Sequence, residues 1–213
     1  MTDYDSVVAF SGGVESTALV YWLKTHNRNP FCFHVKNNPG EIQTIQQKAS
    51  LLEVDVTTIH YDANPPGGLY LNRTLSQSHW KEHFNYNGMP PWQHNWAGIA
   101  YKVIIDNPYI NQIFFGHNGG HLVKGDGKGD SFHAFGEFQY EGYIKSAATV
   151  GIDLDIVAPL AHLSKQEQYQ MLPDAIKKTI FVCERGFQYH CMECKKCNEL
   201  KSICSDREME FYR

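Results

Sequence analysis

The sequence predicts a doubly wound parallel α/β sheet followed by a small cysteine-rich segment. Three observations predict it. The chain opens on a short apolar run, Ser6–Phe10, which passes through a serine–glycine loop straight into a helical stretch. Strand-like apolar runs then alternate with helical patterns, the order expected of βαβ units and a parallel sheet. From Phe181 the composition turns charged and rich in cysteine, so an α/β domain is expected over 1–180 and a separate cysteine-rich segment over 181–213.

The elements follow in order. Ser6–Phe10 has the apolar continuity of a strand buried on both faces. Ala18–Leu23 is helical in character. Pro30–Val35 is a second strand. Glu41–Leu52 is a helix whose apolar face is set by Ile42, Ile45, Ala49 and Leu52. Val54–Tyr61 is a third strand, and Asn64–Pro91 is irregular. Trp96–Ile105 predicts a helix closed by Asn107-Pro108, because the residue before proline disfavours the helical conformation. Ile110–Phe115 predicts a strand running into Gly116. His117–Gly136 is dense in Gly, His, Asp and Lys, a loop over a site or a surface excursion. Ile156–Leu160 predicts a further strand. Ser164–Leu172 predicts a helix with Ser164 as its cap and Glu167 completing a capping box.

Composition bounds the function. The 213 residues are 42% hydrophobic and 20% charged, ordinary values for a globular chain. A formal net charge of −4 supplies no global attraction to nucleic acid. Met1–Ser6 is polar, Val7–Phe10 is too short for a leader's apolar core, and no run approaches a membrane span. The expectation is therefore a cytoplasmic protein with no membrane association, in which clustered thiols serve as metal ligands rather than disulfides.

The stretch Ser11-Gly12-Gly13-Val14-Glu15-Ser16-Thr17 lies between the first strand and the first helix. Glycines allow the backbone to approach a ligand closely. The helix that follows directs free N–H groups and the positive end of its dipole at the loop, and Ser11, Ser16 and Thr17 add hydroxyls. Together these form a cradle for phosphate. The loop lacks the Gly-Lys-Ser/Thr ending of one common phosphate loop and the third glycine of the dinucleotide fingerprint. The competing reading is a tight turn with capping serines.

Cys183, Cys191, Cys194 and Cys197 form C-x7-C-x2-C-x2-C. Two short C-x2-C turns sharing Cys194 converge thiolates on one ion, and four thiolates suit a closed, structural zinc site. An iron–sulfur cluster using Cys204 and a set of disulfides or free thiols are the alternatives. Cys32, in a strand pattern, is expected in the core.

Phe10 to Thr17 resembles the motif of the PP-loop ATP pyrophosphatases, whose fold is that of the adenine nucleotide alpha hydrolases. The resemblance implies that the loop, with Phe10, Ser11, Gly12, Gly13, Glu15, Ser16, Thr17 and the later Gly116, binds ATP, and that the α-phosphate is attacked. That family has Asp where this chain has Glu15; a carboxylate for Mg2+ is kept, one methylene longer. Together with the C-terminal cysteines, the loop resembles the branch that makes 7-cyano-7-deazaguanine from 7-carboxy-7-deazaguanine, ammonia and ATP. Ala158-Pro-Leu160 with Ser164-Lys165, and Asn95 before a helix, are similar to segments of that branch. The resemblance implies Lys165 and His94 as catalytic residues, ATP, Mg2+ and Zn2+ as cofactors, and a homodimer. A surface lysine and an incidental histidine are the competing readings of Lys165 and His94. The middle departs from the branch. His94 stands where Arg is usual, and His117-Asn-Gly-Gly-His121 replaces an acidic-ended segment. An adenylating ligase with another amine acceptor and a PP-loop tRNA-modifying enzyme are therefore the alternatives. His117, His121, Lys124, Asp126 and Asp130 shape the substrate loop, without individual roles.

Overall fold

The computed structural model describes residues 4–36, 39–60, 100–117, 141–183 and 190–212. Within them a five-stranded, all-parallel sheet runs in the order β3-β2-β1-β4-β5. The strands are β1 (Ser6–Ala9), β2 (Pro30–Lys36), β3 (Val56–His60), β4 (Gln112–Phe114) and β5 (Asp155–Val157). The helices are α1 (Val14–Thr25), α2 (Pro39–Leu52), α3 (100–106), α4 (141–148), α5 (Lys165–Gln170), α6 (Asp174–Lys177), α7 (Lys195–Ile203) and α8 (Asp206–Met209). A 3-10 turn over Glu210–Tyr212 follows. The fold class expected from the sequence is the one found.

The side-chain alternation of β1 explains the two layers. Val8 and Phe10 face a core shared with Leu19, Leu23, Ile45, Tyr169, Leu200 and Tyr212. Val7 faces the opposite core, with Phe33, Ala100, Ile104, Ile113 and Ala147. Successive strand residues point to opposite faces, so a strand with apolar residues at every position must be covered on both. The residues from Lys195 to Tyr212 contribute Leu200, Ile203 and Tyr212 to the first of these cores.

The differences from expectation are local. The strand expected over Ile156–Leu160 is only Asp155–Val157. Ala158 leaves the sheet before Pro159, which has no N–H to give a ladder. The helix expected over Ser164–Leu172 ends at Gln170, just ahead of Pro173, while its capping box is as expected, with Ser164 Oγ accepting from the Glu167 amide. Helix α4 had no counterpart in the sequence reading. It contains Gly142, and its residues are mostly exposed apart from Ala147, so its apolar period is faint. The irregular stretch Asn64–Pro91 and the loop from residue 118 to 136 lie outside the described residues. Cys32 is wholly buried, as expected, and burial pushes its thiol up to about 12.

Candidate functional site

The order of the strands places the site. The order in which the chain adds strands reverses between β1 and β4, and ligands of open parallel sheets bind beyond the C-terminal ends of strands at such a switch point. The serine–glycine loop leaves β1 there, and Gly116 leaves β4 beside it.

Each loop residue has a local reason for its place. Gly12 has φ +75, in the left-handed region that glycine adopts without a Cβ clash. Gly13 is the N-cap of α1 and supplies no side chain, so the first turn of the helix has no side-chain cap. Ser16 Oγ lies 2.9 Å from Ser11 Oγ and accepts from the Gly12 amide at 3.1 Å. The Gly13 amide donates to Ser11 Oγ at 3.3 Å. Hydroxyls and amides are thus gathered at the mouth of the loop, at the positive end of a helix of 12 residues. Thr17 is buried behind them, and its Oγ1 has no partner among the described residues. Phe10 is fully buried beneath the loop.

Gly116 is required by proximity rather than by dihedral. A Cβ there would lie 2.8 Å from the carbonyl carbon of Glu15 and 2.9 Å from its oxygen and from the Ser16 nitrogen. The chain leaving β4 therefore touches the backbone of the first turn of α1. Gln168, on α5, joins the same neighbourhood. Its Nε2 donates to the His117 carbonyl at 2.6 Å and to the Leu160 carbonyl at 2.9 Å.

Lys165 closes the mouth. Its ammonium lies 3.0 Å from Glu15 and 3.2 Å from Glu199, and Glu199 lies 3.2 Å from Lys196. Burial alone would lower the pKa of Lys165, but the two carboxylates outweigh it and hold the ammonium above its ordinary value. Burial would in turn raise Glu199, and Lys165 and Lys196 draw it down instead. Lys165 is therefore a fixed positive charge at the loop. Glu199 belongs to α7, the helix that begins at the cysteines, so the same lysine touches both motifs. Lys48 of α2 is 1% exposed and donates to the Gly12 carbonyl at 2.6 Å. His94 lies outside the described residues, as do His121, Lys124, Asp126 and Asp130.

The cysteines converge. The sulfurs of Cys183, Cys191, Cys194 and Cys197 all lie within 4.8 Å of one another. Cys191 and Cys197 are 3.9 Å apart. Tetrahedral ligands at the usual zinc–sulfur distance of about 2.3 Å would be about 3.8 Å apart, so the donor set fits zinc. The left-handed Met192 (φ 59) turns the backbone so that the Cys194 amide donates to Cys191 Sγ at 3.3 Å. One turn on, the Cys197 amide donates to Cys194 Sγ at 3.4 Å, and Cys194 caps α7. Such N–H donors favour thiolate: the Glu193 and Cys194 amides bring Cys191 down to about 6. Burial pushes Cys197 up to about 12, so a bound cation is what would let all four ionise together. His190 Nε2 lies 3.1 Å from the Ile180 carbonyl, which can only accept, and Nδ1 lies 3.6 Å from Cys197 Sγ. Burial first, and the Lys48 charge after it, keep His190 below its ordinary pKa despite the Ile180 bond.

Sequence reasoning did not reach Lys48, Gln168, Glu199 or His190. Only position offered a signal: Gln168 follows Lys165 by one helical turn, and Glu199 sits two residues after the last cysteine of the cluster.

No family model matches the chain, and no curated protein matches its sequence. Solved structures do resemble it. A 4-thiouridine synthetase in complex with RNA and bound ATP matches with a TM-score of 0.50 at 11% identity, over 97% of this chain and 50% of that one. The chain thus spans half the length of the synthetase. A protein described as a predicted subunit of a tRNA methyltransferase from Methanocaldococcus jannaschii matches at 0.49 and 14%, over 79% of this chain and 74% of that one. Acetoin dehydrogenase from Salmonella typhimurium matches at 0.39 and 15%, over 79% and 88%. The likeness to the synthetase shows a shared fold. Among the described residues no helix is long and apolar enough to cross a membrane.

Proposed function

We propose that the chain is an ATP-dependent carbon–nitrogen ligase that converts 7-carboxy-7-deazaguanine and ammonia to 7-cyano-7-deazaguanine. The observation that carries this reading is the serine–glycine loop at the switch point with the Lys165 ammonium held against Glu15 at its mouth, 3.0 Å away. The hydroxyls of Ser11 and Ser16, the amides of the first turn of α1 and the fixed charge of Lys165 are the groups a triphosphate needs.

A carboxylate is a poor electrophile, and adenylation supplies a leaving group. The substrate carboxylate oxygen attacks the α-phosphorus, the bond to the β-phosphate oxygen breaks, and pyrophosphate leaves. Ammonia then attacks the acyl carbon, its nitrogen gives up a proton, the carbon–oxygen bond breaks and AMP leaves with its electron pair, giving the amide. A second ATP activates the amide oxygen in the same way with loss of pyrophosphate, and departure of AMP with its electron pair and of both nitrogen-bound protons gives the nitrile. Lys165 opposes the charge that gathers on the α-phosphate, and the α1 amides hold the phosphates through it. Glu15, beside the loop hydroxyls, offers the hard oxygen donors that magnesium takes, and the ion would neutralise phosphate charge. Cys183, Cys191, Cys194 and Cys197 would hold zinc as a structural ion. On this reading His94, which precedes the third helix in sequence, is a proton carrier or phosphate donor, and the protein is a cytoplasmic homodimer.

The likeness to a synthetase solved with RNA and ATP favours a second reading, in which the adenylated acceptor is a tRNA base. The net charge of −4 weighs against it. Incubation with ATP, magnesium, ammonium and either 7-carboxy-7-deazaguanine or tRNA, followed by AMP and product masses, decides between them. A nitrile is expected. An amide alone points to an amide-forming ligase, AMP with tRNA alone points to RNA modification, and no AMP with any acceptor defeats the adenylation reading.

A further inference from the structure

Lys48 stands out as a charged group placed where charge is costly. It lies on the apolar face of α2, between Ile45 and Leu52, and is 1% exposed. A lysine at such a position ordinarily extends its stem to bring the ammonium to water. This one turns inward and donates to the carbonyl of Gly12 at 2.6 Å. The contact leaves no room for a side chain at Gly12. A Cβ added to Gly12 would lie 2.9 Å from Lys48 Nζ and 2.5 Å from Ile45 Cδ1.

The peptide that follows Gly12 connects this contact to the mouth of the loop. No peptide bond among the described residues is cis. In a planar trans peptide the carbonyl and the next N–H point in opposite directions. Fixing the Gly12 carbonyl inward on Lys48 therefore aims the Gly13 N–H outward, and that amide is found on the exposed side, against Ser11 Oγ. A glycine with φ near +75 has little intrinsic preference among the orientations open to it. Were this peptide to flip, a carbonyl oxygen would face the anion in place of a donor.

We propose that Lys48 is a positioning residue of the phosphate loop. It fixes the Gly12–Gly13 peptide so that the Gly13 amide faces the bound phosphate, and it places a positive charge at the buried Gly12 carbonyl. The inference rests on the reading of the loop as a phosphate site and adds a residue that the loop motif does not contain.

The test uses the full chain labelled with 15N-glycine, with magnesium pyrophosphate and magnesium ATP as probes. Calorimetry is run in parallel on the wild type and on Lys48→Met and Lys48→Gln, each checked for folding by thermal melting. In the wild type, pyrophosphate binds and the Gly13 amide signal shifts strongly. Lys48→Met lowers affinity at least tenfold and moves the Gly13 amide before any ligand is added. Lys48→Gln keeps a neutral donor, so it leaves the free Gly13 signal nearer the wild-type position and loses less affinity. Binding detected in the wild type with an unmoved Gly13 amide overturns the proposal, and that measurement needs no variant to fold. Folded variants that bind like the wild type overturn it too. If the wild type binds neither probe, the phosphate reading fails and this inference fails with it.

Discussion

Replacing Gly116 with alanine should damage the proposed nucleotide loop without removing any side chain proposed to meet the nucleotide. The added methyl would sit 2.8 Å from the Glu15 carbonyl carbon and 2.9 Å from the Ser16 nitrogen. Ordinary contact begins at 3.4 Å, so the first turn of α1 and the strand exit must separate by about half an ångström. Both partners are backbone, so no side chain can rotate away. Overpacking of this kind costs about 1–3 kcal/mol, which for a chain of this size lowers Tm by roughly 2–10 °C. Function should suffer more than stability. A misplacement of about 1 Å can cost about a hundredfold in rate, so half that distance at the loop amides should slow AMP formation about tenfold. The assay is AMP release with 7-carboxy-7-deazaguanine, alongside thermal melting. Gly142→Ala in α4 is the control. Its Cβ meets nothing within 4 Å among the described residues, so it should leave AMP release unchanged and add up to about 1 kcal/mol of stability. A Gly116→Ala protein with wild-type melting and wild-type AMP release would refute the reasoning.

Lys165→Met should reduce AMP formation by about a hundredfold or more, because it removes a fixed cation in contact with Glu15 and because removal of a positioned electrostatic group typically costs about that much; steady-state AMP release measures it. Metal analysis of purified protein should give about one zinc per chain by the chemistry of a four-sulfur site, and Cys194→Ser, which loses a ligand and the cap of α7, should lower both zinc content and Tm; iron with labile sulfide would refute the assignment. Stability should fall in acid. Burial would raise Glu208, but the Lys177 ammonium at 2.7 Å and the Ser205 bonds overcome it and bring the carboxyl from 4.5 to about 2. Its folded pKa lies below its unfolded one, so its contribution is complete above about pH 4.5 and is lost as pH falls toward 2, a loss of about 1–3 kcal/mol that Glu208→Gln should abolish in chemical denaturation.

The features legible in the sequence were those that rest on short-range rules. Val8 and Phe10 on one face and Val7 on the other make an apolar strand without alternation, and that pattern alone implied helices on both sides. Ser164 and Glu167 announced a helix start because the capping box is closed within four residues. The C-x2-C turns placed three sulfurs together for the same reason. Residues whose roles depend on distant partners were not legible. Lys48 looked like one polar position in an amphipathic helix, because nothing near it in sequence reveals that Gly12, 36 residues away, supplies its acceptor. Glu199 carries no motif of its own, and its partner Lys165 lies 34 residues earlier. Helix α4 was missed because its single deeply buried residue, Ala147, leaves no period to read.

These long-range partners give the cysteine segment a place in the ATP reading. Glu15, Lys165, Glu199 and Lys196 form a continuous line from the loop to the first turn of α7, and Cys194 caps that turn. The Lys165 side chain is 20% exposed and that of Glu199 is 32%, so the attraction within each pair is offset by the cost of taking the charges out of water. Their value is geometric. An ammonium shared between carboxylates at 3.0 and 3.2 Å cannot follow one without leaving the other, so α7 limits where Lys165 can go. The cysteines in turn limit α7, through amide–sulfur bonds at Cys194 and Cys197 and through Leu200 and Ile203 in the core. A structural ion would therefore act on the proposed nucleotide site from a distance, by holding the helix that holds the lysine.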